Sequence, residues 1–232
     1  MSLLESPLKS LLDRMPPRAA RVLRRTWMRY ALRGASGADA YDKLELLYQV
    51  GDPWQLGSER EHRRFEATNE LIARNFPGTG SLLEIGCGEG HQSELLLDVC
   101  EQLHGIDVSA TAIERARARV PTGRFTAGDL YAQPWRDGDA SASRATNGAR
   151  PFDLVVACEV LYYMKEPRRC LEEMSRLGKG CLVTFFEPAA KRLASDVLAM
   201  PGVERSWFHA GGVTWLAAWW RPRTRVAQPS RM

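Results

Sequence analysis

The chain has no apolar run approaching the roughly 18 residues that a membrane-crossing helix needs, so no span is expected. Nor is a secretory leader expected. Leu3, Leu4, Leu11 and Leu12 are interrupted by Glu5, Lys9 and Asp13 before an apolar core can form. Cysteine is scarce, with five in 232 residues and no paired spacing. That excludes a disulfide framework or a zinc site and points to a reducing compartment, with the cytoplasm as the expected location. No metal site is expected.

A broad basic face is missing as well. The formal charge is +4, and residues 1–35 hold eight basic and two acidic side chains, a net of +6. The remainder therefore carries −2. A near-neutral body gives no electrostatic reason to expect a nucleic-acid substrate, because such binders present a basic stripe over their working face. The basic stretch reads differently. Val22, Leu23, Trp27, Tyr30 and Ala31 recur at helical spacing among arginines between Arg18 and Arg33, which suggests an amphipathic helix. Such a helix can pack on the domain with its arginines in water. It can also make a peripheral membrane or protein contact through residues 18–33, and both readings stand at this point.

What the chain does have is one catalytic-sized domain, expected over residues 36–220 after a basic extension at 1–35. Gly34 to Gly37 reads as a linker, Tyr41 to Val50 as helical, and Gly51-Asp52-Pro53-Trp54 as a turn. Ser58 to Asn75 follows as a helix, with Ser58 and Glu61 spaced as a capping box. Beyond it, strand-like runs alternate with helical patterns at Gln92–Cys100, Ala110–Val120, Arg168–Leu177 and Lys191–Met200. This alternation is the signature of an α/β fold with a mostly parallel sheet covered on both faces. A fifth strand is expected over Gly180–Glu187, and Val203–His209 and Val213–Trp220 flank Gly211-Gly212 as an antiparallel hairpin. The polar stretch 137–150 is expected to be a mobile insertion and 221–232 a disordered tail.

The chemistry-bearing pattern begins at Leu82-Leu83-Glu84-Ile85-Gly86-Cys87-Gly88-Glu89-Gly90. A buried strand runs into three alternating glycines, the residues that let backbone approach a ligand closely. A dinucleotide fingerprint would place its third glycine one residue later, at His91. The E-x-G-x-G-x-G form instead resembles motif I of class I S-adenosyl-L-methionine (SAM) methyltransferases. That resemblance implies a Rossmann-like fold with a seven-stranded sheet, SAM as cofactor, and Glu84, Gly86, Gly88 and Gly90 around it. Further landmarks follow in order. Asp107, ending a second strand 21 residues after Gly86, is the expected ribose ligand, with Val108 beside it. Asp129 and Leu130 after a third strand are implied for the adenine ring. Taken alone, Asp107 and Asp129 also read as helix caps, and Ser109 or Thr111 is available to cap in place of Asp107.

Methyl transfer from a sulfonium needs alignment and exclusion of water more than a catalytic triad. An amine acceptor must lose a proton, and Glu159, Tyr162, Tyr163 and His91 are candidates to receive it by position. Glu159 is favoured, at the carboxyl end of the fourth strand, where open α/β sheets bind ligands. Glu187 is a weaker candidate for a cationic acceptor. Asp52-Pro53-Trp54 with Ser58, Glu61, Arg63, Arg64, Phe65 and Thr68 adds a narrower resemblance, to nodulation-protein-S-like methyltransferases, which N-methylate an amino sugar. It implies Trp54 over the site, Arg63 near the methionine carboxylate, and a small-molecule methyl acceptor. A nucleic-acid or protein methyltransferase and a non-catalytic SAM-binding scaffold are the alternatives. The segment Cys158-Glu159-Val160-Leu161 lacks the N-P-P-Y form used on base amino groups.

Overall fold

A computed structural model describes residues 14–33, 41–133 and 150–222. The expected linker, most of the 137–150 insertion and the tail beyond Pro222 lie outside the described residues. Strands and helices alternate through β1 (Ser81–Ile85), α4 (His91–Leu96), β2 (Gln102–Asp107), α5 (Ala110–Arg119), β3 (Arg124–Ala127) and β4 (Phe152–Cys158). They continue through α6 (Pro167–Leu177), β5 (Gly178–Phe186), α7 (Glu187–Leu198), β6 (Glu204–Ala210) and β7 (Val213–Trp220). Three helices precede the sheet: α1 (Pro17–Ala31), α2 (Tyr41–Leu47) and α3 (Glu59–Asn75).

The seven strands lie in the order β3-β2-β1-β4-β5-β7-β6, parallel from β3 to β5. The last two are antiparallel. This is the expected fold. Gly211 and Gly212, both at positive φ, join Ala210 to Val213 in the two-residue loop that a right-twisted hairpin favours. The central strands are apolar on both faces because helices cover both. Leu83, Ile85, Val155 and Val183 face α6 and α7, while Leu82, Leu154, Val156 and Leu182 pack with Leu71 and Ile72 of α3 and Ile113 of α5. Successive strands are added on one side of β1 as far as β3 and on the other side from β4, and the carboxyl ends of β1 and β4 at this switch open a crevice.

Three local expectations are corrected. Ser58 precedes α3 in extended backbone, but its hydroxyl makes no capping bond, and Glu61 turns to Arg60 and Arg64 at 2.9 and 2.8 Å instead. Charge-assisted bonds to two guanidinium groups outcompete a neutral cap. The helix after the glycine turn stops at Leu96, and α7 begins at Glu187, four residues before Lys191. Helix α1 packs on α2, with Ala31 2% exposed and Arg24 donating to the Gly51 carbonyl at 3.1 Å. Among the described residues no helix is long and apolar enough to cross a membrane.

Candidate active site

The turn from β1 into α4 shapes the floor of a cleft of about 1320 Å3, open solvent at its mouth included. Gly86 (φ 71°) and Gly88 (φ 53°) have left-handed backbone, and the space beside them is already filled. A Cβ at Gly86 would meet Val160 Cγ2 at 2.4 Å, and one at Gly88 would meet the Tyr48 hydroxyl at 2.9 Å. No side chain fits there, so backbone itself lines the cleft. Gly90 lies outside the lining and begins α4, packed against Ala116.

Asp107, Val108, Asp129 and Leu130 all line the cleft, as does Glu84. Asp107 accepts from the backbone N–H groups of Gly88 and Ser109, each at 2.9 Å. Burial pushes its carboxyl up to about 6, with the Ser109 and Gly88 donors opposing. Ser109, not Asp107, caps α5, accepting from Ala112 N–H at 3.0 Å. Asp129 has two roles at once. Its Oδ1 accepts from Tyr131 N–H at 2.6 Å as the cap of the short helical turn Leu130–Ala132, and its Oδ2 accepts from the Tyr41 hydroxyl. Glu84 lies beneath the turn, accepting from Ser93, and burial pushes it up to about 7 against the pull of Ser93 and Arg64.

Glu159 follows β4 with its backbone in the left-handed region, φ 62°, uncommon for a residue with a Cβ. Its N–H donates to the Thr184 carbonyl at 2.9 Å, tying it to β5. Tyr162 donates to Glu159 Oε2 at 3.0 Å. Burial raises the Glu159 carboxyl above its ordinary value, partly offset by Arg64 and the Tyr162 hydrogen bond. The phenols of Tyr162 and Tyr163 are pushed up by burial and by the Glu159 charge, so both remain protonated donors. Trp54 lines the same cleft, its ring 5.6 Å from that of Tyr163.

Two expectations fail. Arg63 is 61% exposed and paired with Glu59 on the outer face of α3. The cation in the cleft is Arg64, 2% exposed, donating to Glu61 and to Gln92 Oε1 at 3.0 Å. Burial would lower the Arg64 guanidinium, yet Glu159 and Glu61 hold it above its usual value. His91 does not face the cleft either. It starts α4 on the outer side of the glycine turn, 3.2 Å from Arg119 and 3.7 Å from Glu89. There Glu89 accepts from Asp52 N–H at 2.8 Å and from Arg115, joining the Asp52-Pro53-Trp54 turn to the glycine turn. Asp52, Glu89 and His91 converge, but Arg115 and Arg119 already supply the positive charge. Glu187 is exposed and lines neither this cleft nor the shallower cavity beside it. Tyr41, Tyr48 and Arg64 are among the lining residues that motif reading does not select as site residues. Helical periodicity marks Arg64, because 61, 64, 65, 68, 71 and 72 form the buried face of α3.

The family model for nodulation protein S (NodS) matches residues 36–217. The chain belongs to the NodS family. It is similar to nodulation protein S of Bradyrhizobium diazoefficiens, 34% identical over 169 residues that cover 73% of each chain. The Azorhizobium caulinodans protein of the same name is 28% identical over 203 residues, 85% of this chain and 86% of that one. The crystal structure of the N-methyltransferase NodS from Bradyrhizobium japonicum WM9 with S-adenosyl-L-homocysteine (SAH) superposes with a TM-score of 0.58. That comparison is 22% identical, covers 78% of this chain and 97% of the other, and shows the shared fold. This NodS-family chain is a SAM-dependent methyltransferase. The cleft suits that cofactor: backbone that no Cβ can crowd, buried carboxylates able to accept from hydroxyl groups, and a buried cation in the same lining.

Proposed function

We propose that the protein methylates the amino nitrogen of a small-molecule acceptor, an amino sugar, with Glu159 receiving the proton. SAM supplies a methyl group on a sulfonium, an electrophile that needs no further activation. In this reading Asp107 and Val108 hold the ribose, and Asp129 and Leu130 the adenine. The Gly86–Gly88 turn and Glu84 shape the amino-acid end, and Arg64, in place of Arg63, meets its carboxylate. Trp54 and Tyr163 cover the reacting atoms and exclude water.

The acceptor enters as an ammonium ion, attracted by the Glu159 carboxylate. Glu159 takes one proton, and the freed nitrogen lone pair takes the methyl group. The observation that carries this is a half-buried carboxylate following β4, set in left-handed backbone and hydrogen-bonded by Tyr162. A raised carboxyl is also a better match for proton transfer near neutrality than an ordinary glutamate. The sign follows: only the deprotonated form works as base, so kcat/KM falls as pH drops through a pKa above 4.5. The test is Glu159→Gln, followed by SAH formation from an amino sugar. Loss of about 100-fold or more in kcat, disappearance of the acid limb and unchanged SAM affinity are expected. A rate within threefold of wild type removes Glu159 from proton transfer.

Two coarser readings accompany this one. The five cysteines are free and four are buried, which supports a reducing, cytoplasmic setting. Ala31 of α1 is buried where the helix packs on α2, while Val22 and Tyr30 stay 67% and 69% exposed along with Arg18, Arg25 and Arg29, a surface open to a peripheral membrane or protein contact.

A further inference from the structure

Tyr162 and Tyr163 line the reaction cleft on one side and a second, shallower cavity of about 770 Å3 on the other, open solvent included. This second cavity is completed by Leu32, Phe186, Pro188, Ala189 and Arg192. All but Arg192 are apolar or aromatic. Phe186 ends β5 beside the crevice and stays 38% exposed, with its ring set edgewise 5.9 Å from that of Tyr162. Arg192 donates to the Tyr162 carbonyl at 2.8 Å, so its guanidinium holds the partition between the two cavities. Leu32, at the end of α1, lies before the residues that the family model matches. An exposed aromatic on an apolar shelf, continuous with a reaction cleft through shared side chains, has the character of a ligand subsite.

We propose that this shelf binds an apolar arm of the acceptor, an alkyl or aryl group attached to the amine-bearing sugar. The inference rests on the amine reading above only for which end of the molecule faces Glu159. The partition sets the geometry: an amine at Glu159 lies against one side of Tyr162 and Tyr163, and an arm passing over them reaches Phe186 and Leu32. A plain sugar would leave that apolar surface wet. Helix α1 thereby becomes a specificity element, because it supplies one wall of the shelf.

The test compares methyl, propyl and hexyl glucosaminides, titrated by calorimetry into the full chain with SAH present, so that binding is read without turnover. Each methylene held on the shelf tightens binding about fourfold, and three of them about 60-fold. The gradient is expected in the wild type, to persist in Phe186→Leu, and to collapse in Phe186→Ser and Leu32→Glu. Wild-type SAH affinity shows that each variant is folded. Equal affinities for the three compounds, no binding of the hexyl compound, or a gradient intact in both Phe186→Ser and Leu32→Glu overturns the shelf. A clear binding gradient without methyl transfer to any glucosaminide would instead overturn the amine acceptor and leave the shelf standing.

Discussion

Arg63 and Arg64 are chain neighbours on α3 whose guanidinium groups lie in different media. Arg64 is surrounded by Glu61, Gln92 and the field of Glu159, and its loss leaves the buried Glu61 carboxylate with Arg60 alone and removes the buried positive charge near Glu159. Arg64→Met is expected to cost about 3–5 kcal/mol, the usual result of breaking a buried ion pair from one side. Arg63→Ala should stay within about 0.5 kcal/mol, since exposed i,i+4 pairs contribute little. Urea denaturation of the two variants beside wild type makes the comparison, and equal stabilities would show that Arg64 is no more buried in solution than Arg63. A residue two or three places from a motif was legible here only through periodicity. The spacing of Phe65, Leu71 and Ile72 defines an inner face that includes 64 and excludes 63.

At the scale of the element, the turn between β1 and α4 depends on its neighbours as much as on its own glycines. Gly86 faces Val160, the residue after Glu159, so the glycine turn and the segment that follows β4 are in contact. Gly86→Ala forces a Cβ against Val160 in left-handed backbone, at an expected cost of about 1–3 kcal/mol. SAH affinity and Tm should fall together. Gly51→Ala, where an added Cβ meets nothing within 4 Å, should leave both unchanged. A Gly86→Ala protein with wild-type Tm and SAH affinity would contradict the close packing at that turn. The glycine spacing was readable in the sequence because no other residue type fits that backbone. The capping box was not, because Glu61 had two arginine partners brought close by the helix itself.

For the whole molecule, the cleft is assembled from the two halves of the sheet, the α2 segment and the Asp52-Pro53-Trp54 turn. A ligand bridging these parts should stabilise all of them together. SAH at 100 times its Kd adds about 2.7 kcal/mol, which for a chain of this size raises Tm by about 5–10 °C. Asp107→Ala, in contrast, should melt a few degrees below wild type without ligand, because the Gly88 and Ser109 N–H groups lose their acceptor, and show no SAH-dependent shift in a thermal scan. An undiminished shift in that variant would remove Asp107 from the cofactor site.

By itself the sequence determined the α/β alternation, the antiparallel ending and the glycine turn after β1, and it marked Glu84, Gly86, Gly88, Asp107 and Asp129, all of which line the cleft. Each rests on a local rule: residue period, turn chemistry, or distance from a strand end. Only the tertiary structure decided that Arg64 enters the cleft and His91 does not, that Tyr41 reaches Asp129 and Tyr48 the glycine turn, and that Leu32 and Phe186 line one cavity. Those pairings join residues distant in the chain, and what brings them together is the packing of helices on the two faces of the sheet, which no local spacing encodes.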